Sequence, residues 1–362
     1  MQRDVNPPRS LVEALHAIRP WLVWTWAVAA IACVVASPTT AAACDICAVY
    51  TSTEILEGQA GVRLGIAEQY TDFNTVQDNS VEIPNPLDQY IHSSITQIVG
   101  GYQFNRWIGV QANLPVIYRS WQRPVGEDEI QNSSRGGIGD ISIIANVLAF
   151  DTMGDNGVFR FTLLGGLKLP SGDAGFLKEE LDEGADGHDD HDHDEHDAAQ
   201  LARTSQGGHE HAGGSAVHGH DLAFGSGSVD GIVGAQIFHS YRRFFWTAAL
   251  QYKITTEGSY EYQYANDLTW LGGPGLYVLL DDAYTLRAQA VFSGETKGED
   301  TQQGRALDDS SVTNLFVGPG IDFTWGSRLT AEIDVDLPVV QNNSGVQIVA
   351  DYRLRGALVW HF

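Results

Sequence analysis

The sequence predicts an all-β protein, a transmembrane antiparallel β-barrel of about 12 strands after a cleaved signal peptide. Three observations predict it. The composition is rich in Gly (39) and aromatics (36) and nearly free of Met (2), which suits strands and turns better than helices. Twelve runs of about 10–16 residues alternate apolar and polar side chains, the period-two signature of a strand with two different faces. The connections between runs alternate strictly between short and long, the layout of periplasmic turns and extracellular loops.

The chain divides in order. Residues 1–43 read as a signal peptide: Arg3, Arg9 and Arg19 precede the short apolar core "WLVWTWAVAAIACVVA", and "SPTTAAA" offers a small-residue cleavage site. The segment 44–59 is expected in the periplasm and opens with Cys44 and Cys47. In an oxidising compartment that C-x-x-C reads as a local disulfide; lipidation of Cys44 after "AAAC" is an alternative, and two thiolates alone are an incomplete metal site.

Residues 60–362 form the barrel. The runs lie at about 60–74, 89–104, 107–121, 138–150, 157–170, 222–240, 243–256, 266–281, 285–298, 310–325, 328–342 and 346–362. In "RWIGVQANLPVIYRSW", Ile108, Val110, Ala112, Leu114, Val116 and Tyr118 share one face, and Gln111, Asn113 and Arg119 the other. In a barrel the apolar face meets lipid and the polar face lines the lumen. Two aromatic girdles are expected, one near the tight turns (Tyr102, Phe104, Trp107, Phe159, Phe244, Trp246, Trp325, Trp360) and one near the long loops (Tyr70, Tyr118, Trp121, Tyr260, Tyr262, Trp270). Phe362, in phase with Leu358 and Trp360, resembles the C-terminal signal read by the barrel assembly machinery.

Charges on strands are costly in lipid and are therefore assigned to the lumen. Runs 11 and 12 supply a ladder of Glu332, Asp334, Asp336, Asp351, Arg353 and Arg355. A hairpin centred on "NNS" would pair Asp334 with Arg353 and Glu332 with Arg355. Arg63, Arg160, Lys168, Lys253, Arg287, Asp140, Asp230 and Asp322 are further inward candidates. Such residues brace the wall, or line a polar path with screened charge. Twelve strands allow a narrow pore or one small-ligand cavity.

The longest connection, residues 171–221, carries 14 acids against Lys178 and Arg203 and is read as an extracellular loop. It contains "HDDHDHDEHD" and eight of the 12 histidines: His188, His191, His193, His196, His209, His211, His218 and His220. Imidazoles and carboxylates together favour Zn²⁺, Cu²⁺ or Ni²⁺ over Ca²⁺ or Mg²⁺. The irregular spacing points to low-specificity binding rather than one fixed tetrahedral site. A merely solvated acidic loop and a pH-responsive gate are the competing readings. The segment has too few apolar residues to build a core of its own, which predicts mobility.

The short motifs "GGIGDISI", "GLKLPSGD", "FGSGSVDGIVG" and "NLPVIY" resemble outer-membrane proteins grouped with the MetA pathway of phenol degradation. That resemblance implies an outer-membrane barrel passing small, often hydrophobic or aromatic, compounds. The Cys44–Cys47 pair and the His-rich loop are additions to that pattern.

A formal charge of −25 excludes nucleic acid as a partner. No Ser/His/Asp set stands out, so no enzyme is expected and no cofactor is required. The expectation is an outer-membrane channel of Gram-negative type for a small solute, with a metal-binding loop able to gate it. Its partners would be outer-membrane lipid, the assembly machinery, the solute and divalent metal. The alternative is a metal-capturing surface protein anchored by its barrel.

Overall fold

The structure, a computed structural model, describes residues 60–125, 129–186 and 215–362. Twelve antiparallel strands close into a barrel, and every predicted run contains one. They are β1 (Gly61–Asp78), β2 (Tyr90–Gln103), β3 (Ile108–Pro124), β4 (Ile141–Gly154), β5 (Gly157–Leu169) and β6 (Asp230–Tyr241). The second half comprises β7 (Phe244–Ile254), β8 (Asp267–Leu280), β9 (Tyr284–Lys297), β10 (Val312–Trp325), β11 (Leu329–Asn343) and β12 (Val346–His361). Each strand pairs with the next, and β12 returns to β1 from Arg63↔His361 to Asp78↔Val346, so the sheet closes on itself.

The two faces follow the predicted alternation. Leu64, Ile66, Ile98, Val116, Leu167, Leu250, Ile321 and Ile333 are exposed on the outside, as a lipid-facing belt requires. Tyr102, Phe104, Trp107, Phe244, Trp325 and Trp360 are exposed toward the tight-turn end, matching one girdle. The other girdle loses two members. Trp121 falls on the inward parity of β3 with Ile117 and Arg119, and Tyr262 is buried in a loop. Glu68 is an exception on the outer face, where its carboxylate accepts hydrogen bonds from the Ser94 and Thr96 hydroxyls.

Two boundaries differ from expectation. The loop after β3 holds an added strand, Ile130–Ile138, that pairs with the upper half of β3 (Val116↔Ile138 to Pro124↔Ile130), while β4 pairs only with its lower half. Residues 222–229, assigned by periodicity to run 6, do not join the wall. Gly227 turns there with φ +73°, and β6 begins at Asp230.

The stretch before β6 instead folds across the long-loop end of the barrel. Helix α1 (Leu177–Asp186), the short helix α2 (Gly219–Leu222) and the chain from Ser215 to Ser228 form a cap. Leu177, Ala216, Val217, Leu222 and Ala223 are fully buried. Their partners are inward-facing residues of the wall: Ala216, Val217 and Leu222 pack with Phe73, Ile91, Trp121 and Phe316, and Phe224 packs with Ile95 and Ile117. The expected mobility is therefore corrected for these residues. The segment has no core of its own, but the barrel lends it one. Hydrophobic burial at about 25 cal/mol per Å² then orders what composition alone would leave loose.

Candidate functional site

The site consists of the lumen and the cap over it. Beneath the cap, a cavity of about 130 Å³ lies at mid-barrel, lined among others by Gln97, Gln251, Gln289, Glu295, Asp334 and Arg353. Its two guanidinium groups are both paired with carboxylates. Arg355 reaches Asp336 at 3.0 Å and Asp334 at 3.6 Å, and Arg353 reaches Glu295 at 3.3 Å. Asp336, fully buried, also accepts the Ser293 hydroxyl at 2.8 Å. Arg287 pairs with Asp322, Arg160 with Asp151 and Lys253 with Asp267. Such pairing sets the cations of the lumen against carboxylates on neighbouring strands.

The ladder holds the predicted residues in a corrected register. Asp334 stands opposite Arg355 and Asp336 opposite Arg353, two residues from the expected pairing. The cause is the turn: Ser344–Gly345, with Gly345 at φ +58°, closes the hairpin between Asn343 and Val346, not around "NNS". Glu332 faces the cavity opposite Ala357. Asp351 leaves the ladder altogether. It lies where the β1–β12 register shifts, and it accepts the Asn74 backbone N–H at 2.8 Å and the Thr75 hydroxyl at 2.6 Å. Above Asp336↔Arg353 the β11–β12 pairing stops, and the Ile348 N–H donates to Ala216 of the cap at 3.0 Å.

The glycine-rich motifs, which sequence reading treated only as a pattern, converge on one buried cluster at the cap's root. Lys168 donates to Asp140 at 2.8 Å and to the Ser226 hydroxyl at 2.6 Å, and pairs with Asp230 at 2.7 Å. Asp140 also accepts the Ser226 N–H at 3.0 Å and the Gly172 N–H at 2.9 Å, and Ser228 donates to Asp230 at 2.7 Å. Gly172 and Gly225 pass so closely that a Cβ on Gly225 would sit 2.7 Å from Gly172, so neither tolerates a side chain.

Higher up, cations of the wall hold the cap by its backbone. Arg119 donates to the carbonyls of Asp221 at 2.5 Å and Ala223 at 3.0 Å. Arg123 pairs with Glu179 of α1 at 2.6 Å, and Gln89 accepts the Ala216 N–H at 2.8 Å. The Tyr264 hydroxyl donates to the His220 carbonyl at 3.1 Å.

Of the eight histidines, His218 and His220 are described and lie together in this cap, both buried. Their rings stack 5.3 Å apart, and Asp221 stands beside both. His220 Nδ1 lies 2.9 Å from Glu180 Oε1. Burial alone would lower the His220 pKa, but Asp221 and Glu180 overcome it and lift the value to about 10. Burial would raise Glu180, but His220 holds it at about 2. His188, His191, His193, His196, His209 and His211 lie outside the described residues, as do Cys44, Cys47 and the expected signal peptide.

Searches of protein-family models and of curated proteins return no match to this chain. Among solved structures, an outer membrane channel from Pseudomonas putida F1 is similar over 87% of this chain and 100% of its own, with a TM-score of 0.54 at 12% identity. The translocator domain of the autotransporter NalP from Neisseria meningitidis aligns over 85% and 90%, with a TM-score of 0.38 at 15% identity. The first likeness is one of fold: this chain is a closed 12-stranded antiparallel barrel of the outer-membrane type.

Proposed function

We propose that the protein is an outer-membrane channel for a small neutral solute, hydrophobic or aromatic in character, whose extracellular mouth is closed by the folded cap. The observation that carries this reading is a cap resting on inward apolar residues above a cavity whose guanidinium groups are paired with carboxylates. A mouth sealed by side-chain contacts can reopen without breaking the wall. A cavity of roughly 150 Å³ holds one benzene ring, so the 130 Å³ here is of single-ring size. The glycine-rich motifs that resemble the phenol-pathway family, and the likeness of fold to the Pseudomonas putida outer membrane channel, agree with it.

The test is current block in planar bilayers, using a variant with a loosened cap such as Arg119→Leu. Millimolar phenol is expected to reduce the ion current reversibly, whereas a pentose of similar size is not. Equal effects of both solutes would contradict the assignment.

A second reading, a metal-collecting surface protein anchored by its barrel, is favoured by the His218–His220–Asp221 group. Removal of residues 178–220 separates the two. A channel keeps or gains conductance, while a metal collector loses its metal and shows no conductance before or after.

A further inference from the structure

We infer that His218, His220 and Asp221 form a defined divalent transition-metal site, best suited to Zn²⁺, that latches the cap shut. The sequence suggested diffuse capture by many histidines; the described residues bring two of them together with Asp221. The three residues each offer a ligand atom, all within 4.8 Å of one another. Asp221 is the hub: Oδ2 lies 3.7 Å from His218 Nδ1 and Oδ1 lies 3.6 Å from His220 Nε2. A tetrahedral Zn²⁺ with bonds of about 2.0–2.1 Å spaces its ligand atoms roughly 3.3 Å apart, and each Asp221–imidazole separation lies within about half an ångström of that spacing. Both separations are also too long for hydrogen bonds. These two nitrogens therefore face Asp221 without being bound to it.

The opposite nitrogens are held. His218 Nε2 lies 3.2 Å from Asp309 Oδ2, and His220 Nδ1 lies 2.9 Å from Glu180 Oε1. Each imidazole thus turns one nitrogen to an orienting carboxylate and the other to Asp221. That is the arrangement that fixes the tautomer and ring direction of metal-bound histidine.

The donor set selects the ion. Two imidazoles and one carboxylate suit Zn²⁺, and suit Cu²⁺, Ni²⁺ or Co²⁺ in the same geometry, whereas Ca²⁺ and Mg²⁺ require oxygen. Metal binding displaces the imidazole protons, and the three carboxylates Glu180, Asp221 and Asp309 then leave a local excess of negative charge that a divalent cation offsets. The ligands and their supports come from three separate segments: Glu180 from α1, the triad from around α2, and Asp309 from the connection between β9 and β10. Metal bound here ties those segments together over the mouth.

The site stands on its own geometry; only the latch rests on the channel reading above. The test uses the full chain in detergent, carrying H188A, H191A, H193A, H196A, H209A and H211A to remove the competing histidines, with Zn²⁺ alone as titrant and Co²⁺ as spectroscopic reporter. One Zn²⁺ per chain is expected, with the intense visible absorption of tetrahedral Co²⁺. His218→Gln or Asp221→Asn should abolish that absorption. Asp309→Asn, at a partly exposed residue, should weaken binding at least about tenfold while leaving the fold intact. Zinc binding that disappears with the six loop histidines, or that survives both His218→Gln and Asp309→Asn unchanged, overturns the site. If one Zn²⁺ binds but bilayer conductance stays the same, the site stands and the latch is overturned.

Discussion

The ladder of the wall and the cap above it are made of the same materials, buried Arg, Asp, Glu and His, yet they are held differently. Arg353, Arg355, Asp334 and Asp336 sit on adjacent strands whose register is fixed by backbone hydrogen bonds. Their pairing stabilises one geometry, and the sheet offers no other. Arg119, Arg123, Glu180 and His220 join loops to the wall through side chains and carbonyls, with no sheet holding the loops in place. Losing an interaction in the ladder strains the barrel. In the channel proposed above, losing one in the cap would shift the balance between closed and open. The same chemistry would then give rigidity in one place and a gate in the other.

Substitutions that sever each region from its support break the comparison most sharply. Lys168→Met would leave Asp140 and Asp230 buried without their cation at the cap's root. Breaking a buried pair in this way costs about 3–5 kcal/mol. Urea unfolding should show the loss, and the cap should become protease-sensitive at the same time. Arg355→Gln tests the ladder. Because Asp336 keeps the Ser293 hydroxyl, a destabilisation near the lower end, about 3 kcal/mol, is expected. Its pore, if opened, should turn cation-selective while the cap stays protected. Arg119→Leu removes three hydrogen bonds from a charged donor, two of them to the cap, each worth about 1.5–3 kcal/mol. Here the cost should appear as increased open time in bilayers, with unfolding of the barrel little changed.

The smallest expected effect is that of pH, in protein stripped of metal by a chelator. The His220 pKa is raised from 6.5 to about 10 in the closed cap, so its contribution is complete below pH 6.5 and fades as pH rises toward 10. Glu180 is lowered from 4.5 to about 2, so its contribution is complete above pH 4.5 and fades as pH falls toward 2. Closed time should therefore peak between about pH 4.5 and 6.5. A maximum near pH 9 would contradict the assignment of His220 to the closed state.

The barrel was legible because each strand repeats one rule. Leu64, Ile66 and Ile98 against Gln97, Asn113 and Arg119 state that rule in the local sequence. The register of the last hairpin was not, because it depends on which residue takes the left-handed conformation, and Gly345 rather than the Asn pair supplies it. The cap was hidden for another reason. Its core is shared between distant segments, so no window of sequence contains it. One signal was available: Phe73, Ile91, Ile117, Trp121 and Phe316 are apolar on a face that is elsewhere polar, and apolar residues facing a lumen need something to cover them. The same reasoning would have selected His218 and His220 from eight histidines, since they flank "AV" and "DLAF", the apolar stretches of the loop.

The central claim, that a folded cap closes an otherwise continuous barrel, is tested most directly by single-channel conductance of the intact protein against a variant lacking residues 178–220. Heat-modifiable electrophoretic mobility would verify that both are folded. The account predicts a low or intermittent current for the intact chain and a larger, steady current once the segment is removed. Equal currents from two folded barrels, or no current from either, would contradict it.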